Sequence, residues 1–305
     1  MSDRPETPPM SSTPFIETGI ATNRVHADIA ALTHPGSRPN NEDAYVVYRV
    51  ARSMECLSSN LPQGKLPPRH DDSGHLMIVG DGVGGAASGE VASRTALITL
   101  VESIMRQPKW ALKLDDPACR ESEIEELVER SRAYLQHMHA TIRERQDANP
   151  SYRGMGTTFT SAYTVGGDLF IMHVGDSRAY VLRSDRLFRI TRDHTLAQEY
   201  ADLGQLEQAE VDHHPLGHVL TRALGSDVET LQSDMHHRDV EDGDRLLLCS
   251  DGLTKVASEA DIATALRANP RSADACRALV DLALASGGPD NITVIVAGYK
   301  VDPLA

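Results

Sequence analysis

Apolar and polar residues alternate from Val25 to Thr33 and again from Ala44 to Val50, the period of strands with one buried face. A polar loop, residues 34–43, joins them, and the two are expected to pair as a hairpin with a long connection. Residues 76–79, Leu-Met-Ile-Val, form a short unbroken apolar run, the pattern of a buried strand. The Ser/Pro/Gly/His-rich stretch before it, 52–74, has no period and is expected to be a surface insertion. From Ser88 to about Met105 the period becomes helical, with Val91, Thr95, Ile98, Val101 and Ile104 as its stripe, and Pro108 follows. A second helix is expected over about 122–146. Ile124, Leu127, Val128, Leu135 and Met138 form its apolar face, and its Glu-rich start and Arg-rich end match the helix dipole.

Strand alternation then returns. Residues 156–165 and 168–174 flank Gly166-Gly167 as a hairpin, and 178–182 and 187–191 flank Ser184-Asp185 as another. Residues 193–225 are polar and His-rich, with weak helical signals at 195–203 and 220–224. A strand is expected at 230–235 and a buried one at 244–250. Helices follow at 259–268 and 272–285, and a last apolar strand at 292–299. Hairpins outnumber crossovers, so the chain reads as an α+β layered fold on antiparallel sheets. No Gly/Ser linker divides residues 23–302, which are taken as one domain. Residues 1–22, with four prolines and little apolar content, are taken as a disordered tail.

Composition narrows the function more than the fold. Acidic residues number 44 against 30 basic ones, a net charge of −14, which disfavours nucleic acid and anionic membranes as partners. No apolar run reaches the length of a membrane span, and the N-terminus has no signal-peptide core, so a cytoplasmic protein is expected. Cys56, Cys119, Cys249 and Cys276 show no zinc spacing and no Cys-x5-Arg phosphate loop, and are read as free thiols.

The recurring chemical feature is an aspartate at a strand end. Asp81-Gly82 and Asp251-Gly252 each end an apolar run, and Asp176 follows Gly175. Asp290 precedes the last strand, and Glu42-Asp43 precede an early one. One such Asp is ordinary turn chemistry. Several at matching positions would repel one another unless a cation lay among them. All-oxygen ligands favour magnesium or manganese, and a pair of such ions suits hydrolysis at an oxyanion. Arg38, on the loop leading to Asp43, is suited to bidentate phosphate binding.

Two other readings carry less weight. Gly80-x-Gly82-x-x-Gly85 matches the dinucleotide fingerprint, but Asp81 would face the pyrophosphate and no βα alternation follows. The histidines His26, His34, His194, His213, His214, His218, His236 and His237 are read as surface polar groups. Only His34 and His194 are kept as candidate proton donors near the cleft. Arg178 is read as a brace for its corner and Asn291 as a turn hydrogen-bonder.

Six stretches in order resemble the motifs of the protein phosphatase 2C family, the metal-dependent serine/threonine phosphatases also called PPM. They are Arg38-Pro-Asn-Asn-Glu-Asp43, Val79-Gly-Asp-Gly-Val-Gly-Gly85, Gly154-Met-Gly-Thr-Thr158, His173-Val-Gly-Asp-Ser-Arg178, Leu248-Cys-Ser-Asp-Gly-Leu-Thr254 and Gly288-Pro-Asp-Asn-Ile-Thr293. The resemblance covers about residues 24–300 and is closest to bacterial members. It implies two packed antiparallel sheets flanked by helix pairs, a four-layer αββα fold. It implies two, with a third weaker, Mn2+ or Mg2+ ions: Asp81 bridging two, Gly82 binding one through its carbonyl, Asp251 and Asp290 the other. Glu42 and Asp43 would hold metal-bound waters, Asp176 with Asp251 the third ion, and Arg38 the phosphate. Residues 193–225 would be a flap beside the cleft. The implied reaction is hydrolysis of phosphoserine and phosphothreonine by a water bridging two metals. The implied partners are phosphoproteins and a serine/threonine kinase, and a monomer is expected. Val83 stands where animal and plant members carry an acid histidine. The alternative is a catalytically inactive PPM fold serving as a regulatory or binding module, whose mark would be lost metal aspartates.

Overall fold

Every strand pairing in the structure, a computed structural model, is antiparallel. The structure describes residues 25–62, 65–66, 68–84, 88–106, 114 and 117–302, so the tail expected over 1–22 and Gly85 lie outside the described residues. In chain order the elements are β1 (Val25–His34), β2 (Ala44–Glu55), β3 (Arg69–Gly80), β4 (Gly82–Val83), α1 (Ser88–Met105), α2 (Arg120–Ala148), β5 (Gly156–Thr157), β6 (Phe159–Val165), β7 (Asp168–Val174), β8 (Arg178–Arg183) and β9 (Arg186–Arg189). Then come α3 (Leu196–Asp202), β10 (Asp234–Asp239), β11 (Arg245–Cys249), α4 (Asp251–Thr254), α5 (Glu259–Ala268), α6 (Ser272–Ala285) and β12 (Ile292–Val301).

Two five-stranded sheets, β1-β12-β11-β8-β9 and β10-β7-β6-β3-β2, pack face to face, with β4-β5 as a small third pair. Met77, Val79, Ile171, Leu246, Leu248 and Ile295 fill the space between the large sheets. The alternate residues of β3, Leu76 and Ile78, face the other way, onto α1 and α2 through Ala96, Leu100, Leu135 and Met138. On the far side Val294 and Val296 of β12 meet Leu279, Val280 and Ala283 of α6 and Ile262 and Leu266 of α5. The order of layers is therefore helix pair, sheet, sheet, helix pair, the α+β architecture expected. Strands β3 and β12 are buried on both faces, which is why their sequences read as unbroken apolar runs.

Five local expectations need correction. β1 and β2 do not form a hairpin. β1 pairs along its whole length with β12, from Val25↔Val301 to His34↔Ile292, while β2 pairs with β3 in the other sheet. The loop between them thus crosses from sheet to sheet at the rim of the sandwich. The expected irregular insertion at 52–74 is partly ribbon: residues 52–55 and 69–74 are strand. Met54 there is 62% exposed, and its neighbours Ser53 and Glu55 are exposed too, so burial imposes no alternation on those residues. The buried side of α1 is Ala92, Ala96, Leu97 and Leu100, and Ile98 is 58% exposed. Small residues let this helix approach the sheet closely; of the expected stripe Thr95 is buried and Val91 and Ile104 pack at the edge of the core, while Ile98 turns outward. The strand expected at 230–235 lies at Asp234–Asp239, where its polar sequence forms an edge strand on β7, and 220–224 is not helical.

Candidate metal and phosphate site

At the rim where both sheets end, Arg38, Glu42, Asp81, Gly82, Val83, Asp176, His218, Leu220, Asp251, Lys255, Asp290 and Asn291 are among the residues lining an open cleft of about 480 Å³. The sheet order explains the convergence. β3 and β7 in one sheet and β11 in the other deliver Asp81, Asp176 and Asp251 just past their last residues, and β12 receives Asp290 just before its first.

Backbone contacts hold Asp81 and the turns that carry Glu42, Asp251 and Asp290. The Asp81 amide donates to Thr158 Oγ1 at 2.9 Å, and its carbonyl accepts from the Thr158 amide and from Thr157 Oγ1, both at 2.9 Å. Gly82 lies so close to the Gly89 and Glu42 carbonyls that a Cβ there would collide with both. Asn291 works as a hub: its Oδ1 accepts from the Glu42 amide at 2.7 Å, and its Nδ2 donates to the carbonyls of Pro35 and Asn40. It thereby pins the Arg38 loop to the start of β12, as its reading as a turn hydrogen-bonder anticipates. A Cβ on Gly252 would overlap the Asn291 carbonyl, so α4 can begin at Asp251 only with glycine next.

The charges in this cleft are out of balance. Burial, reinforced by the charges of Asp43, Asp251 and Asp176, pushes the Asp81 carboxyl well above the usual range. Burial does the same to Asp176, with Asp251 and Asp193 adding to it. Asp43 is pushed up to about 7 by burial and by Asp251 and Asp290, against hydrogen bonds from Thr293 and Ser250 that favour its charge. Burial raises Asp251 too, though Lys255 opposes it. Burial would also raise Asp290, but the hydrogen bond and charge of Lys255, its own Asn291 amide and Arg38 hold it below the usual range. Buried Asp43 Oδ1 has no hydrogen-bond partner among the described residues. Clustered carboxylates that resist ionisation, one with an orphaned oxygen, and an all-oxygen donor set together fit a divalent cation.

Arg38 stands at the mouth, its side chain 56% exposed, with Nε 3.1 Å from Asp290 Oδ1 and Nη2 3.1 Å from Oδ2. Lys255, which sequence reading missed, lies 2.6 Å from Asp251 Oδ2 and 2.8 Å from Asp290 Oδ2. Its signal was the spacing of four from Asp251, one helical turn, on an element too short to show a period.

The histidine assignments change. Neither His34 nor His194 is among the residues described as lining the cleft. His34 Nδ1 accepts from the Gly36 amide and shapes its own loop. His194 is buried: Nδ1 accepts from the Gly175 amide at 3.1 Å, and Nε2 lies 3.3 Å from Asp234 Oδ2. It braces the corner that carries Asp176. His218, read as a surface group, is the histidine on the cleft wall. Arg178 does brace its corner, but it also reaches residues 193–225, through Asp193 at 2.7 Å and Asp212 at 2.5 Å. A bridge between Thr195 and Leu220 closes that segment on itself, and another from Leu224 to Thr157 fastens its C-terminal end to β5.

Fold and site together define a carboxylate-lined cleft at the rim of an αββα sandwich, and known proteins share both. The profile of the family described as protein phosphatase 2C matches residues 63–285. The serine/threonine protein phosphatase PstP of Mycobacterium tuberculosis is 37% identical over 223 residues, 73% of this chain and 40% of that protein, so the chain matches less than half the length of that relative. Protein phosphatase PhpP of Streptococcus pneumoniae is 31% identical over 273 residues, covering 90% of this chain and 98% of PhpP. Among solved structures, the catalytic domain of the serine threonine protein phosphatase PstP in complex with two manganese ions superposes with a TM-score of 0.69 at 31% identity, over 90% of this chain and 99% of that one. The chain belongs to the protein phosphatase 2C family.

Proposed function

We propose that this chain is a metal-dependent protein serine/threonine phosphatase that hydrolyses phosphoserine and phosphothreonine in proteins. The observation that carries this reading is the convergence of Asp81, Asp176, Asp251 and Asp290, each from a strand end, on one open cleft with Arg38 at its mouth, with Asp43 buried close enough to feel the charges of Asp251 and Asp290. The alternative, an inactive regulatory module, would be expected to have lost these aspartates, and all are in place.

Asp81, the Gly82 carbonyl, Asp251 and Asp290 would hold two Mn2+ or Mg2+ ions. Glu42 and Asp43 would act through their waters, and Asp176 with Asp251 would take a third, weaker ion. Bound there, the ions would activate water for attack and offset charge on the phosphoryl oxygens. Arg38 would orient the phosphate: its guanidinium is at the mouth, and its present partner Asp290 would be held by metal in the loaded site, which leaves the guanidinium for the phosphate. The open cleft admits a side chain presented by a protein surface. Val83 donates no proton, so the leaving alkoxide draws on another group on the wall, and His218 is the titratable side chain there of suitable chemistry.

In this reading residues 23–302 are the catalytic domain, residues 193–225 form a flap beside the cleft, and the substrates are phosphoproteins made by a serine/threonine kinase in the cytoplasm. None of the described helices is long and apolar enough to cross a membrane. The test is hydrolysis of a phosphothreonine peptide by purified chain with Mn2+, with Mg2+ and with a chelator. Turnover restored by metal and abolished by chelation supports the proposal, and full turnover without metal overturns it.

A further inference from the structure

Asp251 opens α4, and Lys255 follows it by one helical turn, with the Lys255 amide donating to the Asp251 carbonyl at 2.8 Å. Residues four apart on a helix share a face, so the lysine stem runs back over Asp251. Its ammonium does not stop at a pair within the helix. It lies 2.6 Å from Asp251 Oδ2 and 2.8 Å from Asp290 Oδ2, between carboxylates brought together only by the fold.

We propose that Lys255 is a resident counter-cation of the Asp251–Asp290 pair, which a divalent metal must displace, so that this lysine sets how tightly the chain holds metal. The inference rests on the metal-site reading above and adds a residue to it.

Three observations support it. The ammonium engages the same two carboxylates that are proposed to bind an ion. A magnesium-sized ion needs oxygens at about 2.0–2.1 Å, so ion and ammonium compete for the same lone pairs. Lys255 also has room to leave: its side chain is 38% exposed and lines both the main cleft and a neighbouring cavity of about 200 Å³ that includes Asp193, Asp212 and His214. Those acids lie near its exit, although Arg178 already pairs with Asp193 and Asp212. Finally, without a cation Asp251 and Asp290 would repel. With Lys255 between them, and Arg38 on Asp290, the carboxylates are preorganised before metal arrives.

The test has two arms. In the first, Mn2+ binding to metal-free wild-type chain, Lys255→Met and Lys255→Arg is measured by calorimetry. Lys255→Met keeps the apolar stem and removes the charge, so it should bind its tightest Mn2+ on the order of tenfold more strongly, because no cation competes for the oxygens. Lys255→Arg should stay near wild type. The second arm needs no variant. Wild-type chain is acetylated with a lysine-reactive ester with and without Mn2+, and the peptide carrying Lys255 is quantified by mass spectrometry. Labelling should rise severalfold when metal releases the amine. Unchanged or weaker affinity in folded Lys255→Met, or labelling that stays level or falls on metal binding, overturns the inference while leaving the phosphatase reading intact. If wild-type chain binds no Mn2+ at all, both fall.

Discussion

Ser250 Oγ donates a 2.7 Å hydrogen bond to Asp43 Oδ2 and accepts one from the Thr293 amide at 2.9 Å. A single hydroxyl thus joins the residue before β2, in one sheet, to the end of β11 and the start of β12, in the other. All three groups are buried. Ser250→Ala leaves a buried amide and a buried carboxyl oxygen without this partner, which costs about 1–3 kcal/mol. The measurement is urea unfolding of metal-free protein. A variant with the wild-type midpoint and slope would show that the hydroxyl is replaced by other contacts.

Asp81→Asn separates charge from shape. The backbone contacts to Thr157 and Thr158 survive, while one carboxylate leaves a cluster in which burial and neighbouring charge already oppose ionisation. The metal-free variant is expected to melt at or above the wild-type temperature, with phosphopeptide turnover down by at least about a hundredfold. A fall in melting temperature with turnover preserved would make Asp81 a turn residue and nothing more.

His173 makes one contribution to stability that weakens in mild acid, opposite in sign to that of the buried carboxyls Asp43 and Asp81, whose raised pKa values favour the native state as the pH falls. Burial, helped by the neighbouring His194 charge, lowers the His173 pKa to about 3, with Thr160 on Nδ1 and the Arg192 carbonyl at Nε2. Between about pH 3 and the ordinary histidine value near 6.5, the unfolded chain binds a proton that the native chain refuses. This contribution is therefore fully present above about pH 6.5 and is lost progressively as the pH falls toward 3. His173→Gln should make the slope of unfolding free energy against pH less positive in that window. The same slope in wild type and variant would remove His173 from the pH dependence.

His218 gives the proton-donor question a kinetic form. Phosphothreonine leaves as a poor alkoxide, whereas p-nitrophenyl phosphate needs no acid. His218→Ala should lower the ratio of peptide to aryl phosphate kcat by about a hundredfold, the lower end of general acid catalysis. His34→Ala and His194→Ala should leave that ratio alone, since His34 shapes its loop and His194 braces the Gly175 corner. A ratio unmoved in His218→Ala excludes this histidine as the donor.

Much of the architecture is legible in the chain because its signals are local. Period two and period 3.6 mark most strands and the long helices, and Gly166-Gly167 and Ser184-Asp185 mark their hairpins, the latter with φ of 48° and 63° at its two residues. The site is half legible for the same reason: Asp81, Asp176, Asp251 and Asp290 each border an apolar run, a pattern that needs no knowledge of neighbours. Partnership is not local. Whether β1 pairs with β2 or with β12 depends on which faces can be buried together across more than 250 residues of chain, and alternation is the same in either case. Likewise the rotation of α1 follows from how closely Ala92 and Ala96 approach the sheet. Polar side chains show the limit most sharply. His194 and His218 are alike as sequence, yet one is sealed against Gly175 and Asp234 and the other faces the cleft. Lys255 is an ordinary surface lysine until the fold brings Asp290 beside Asp251. A charged group takes its meaning from the charges around it, and at this site those come from strands of two different sheets that only the tertiary structure brings to one rim.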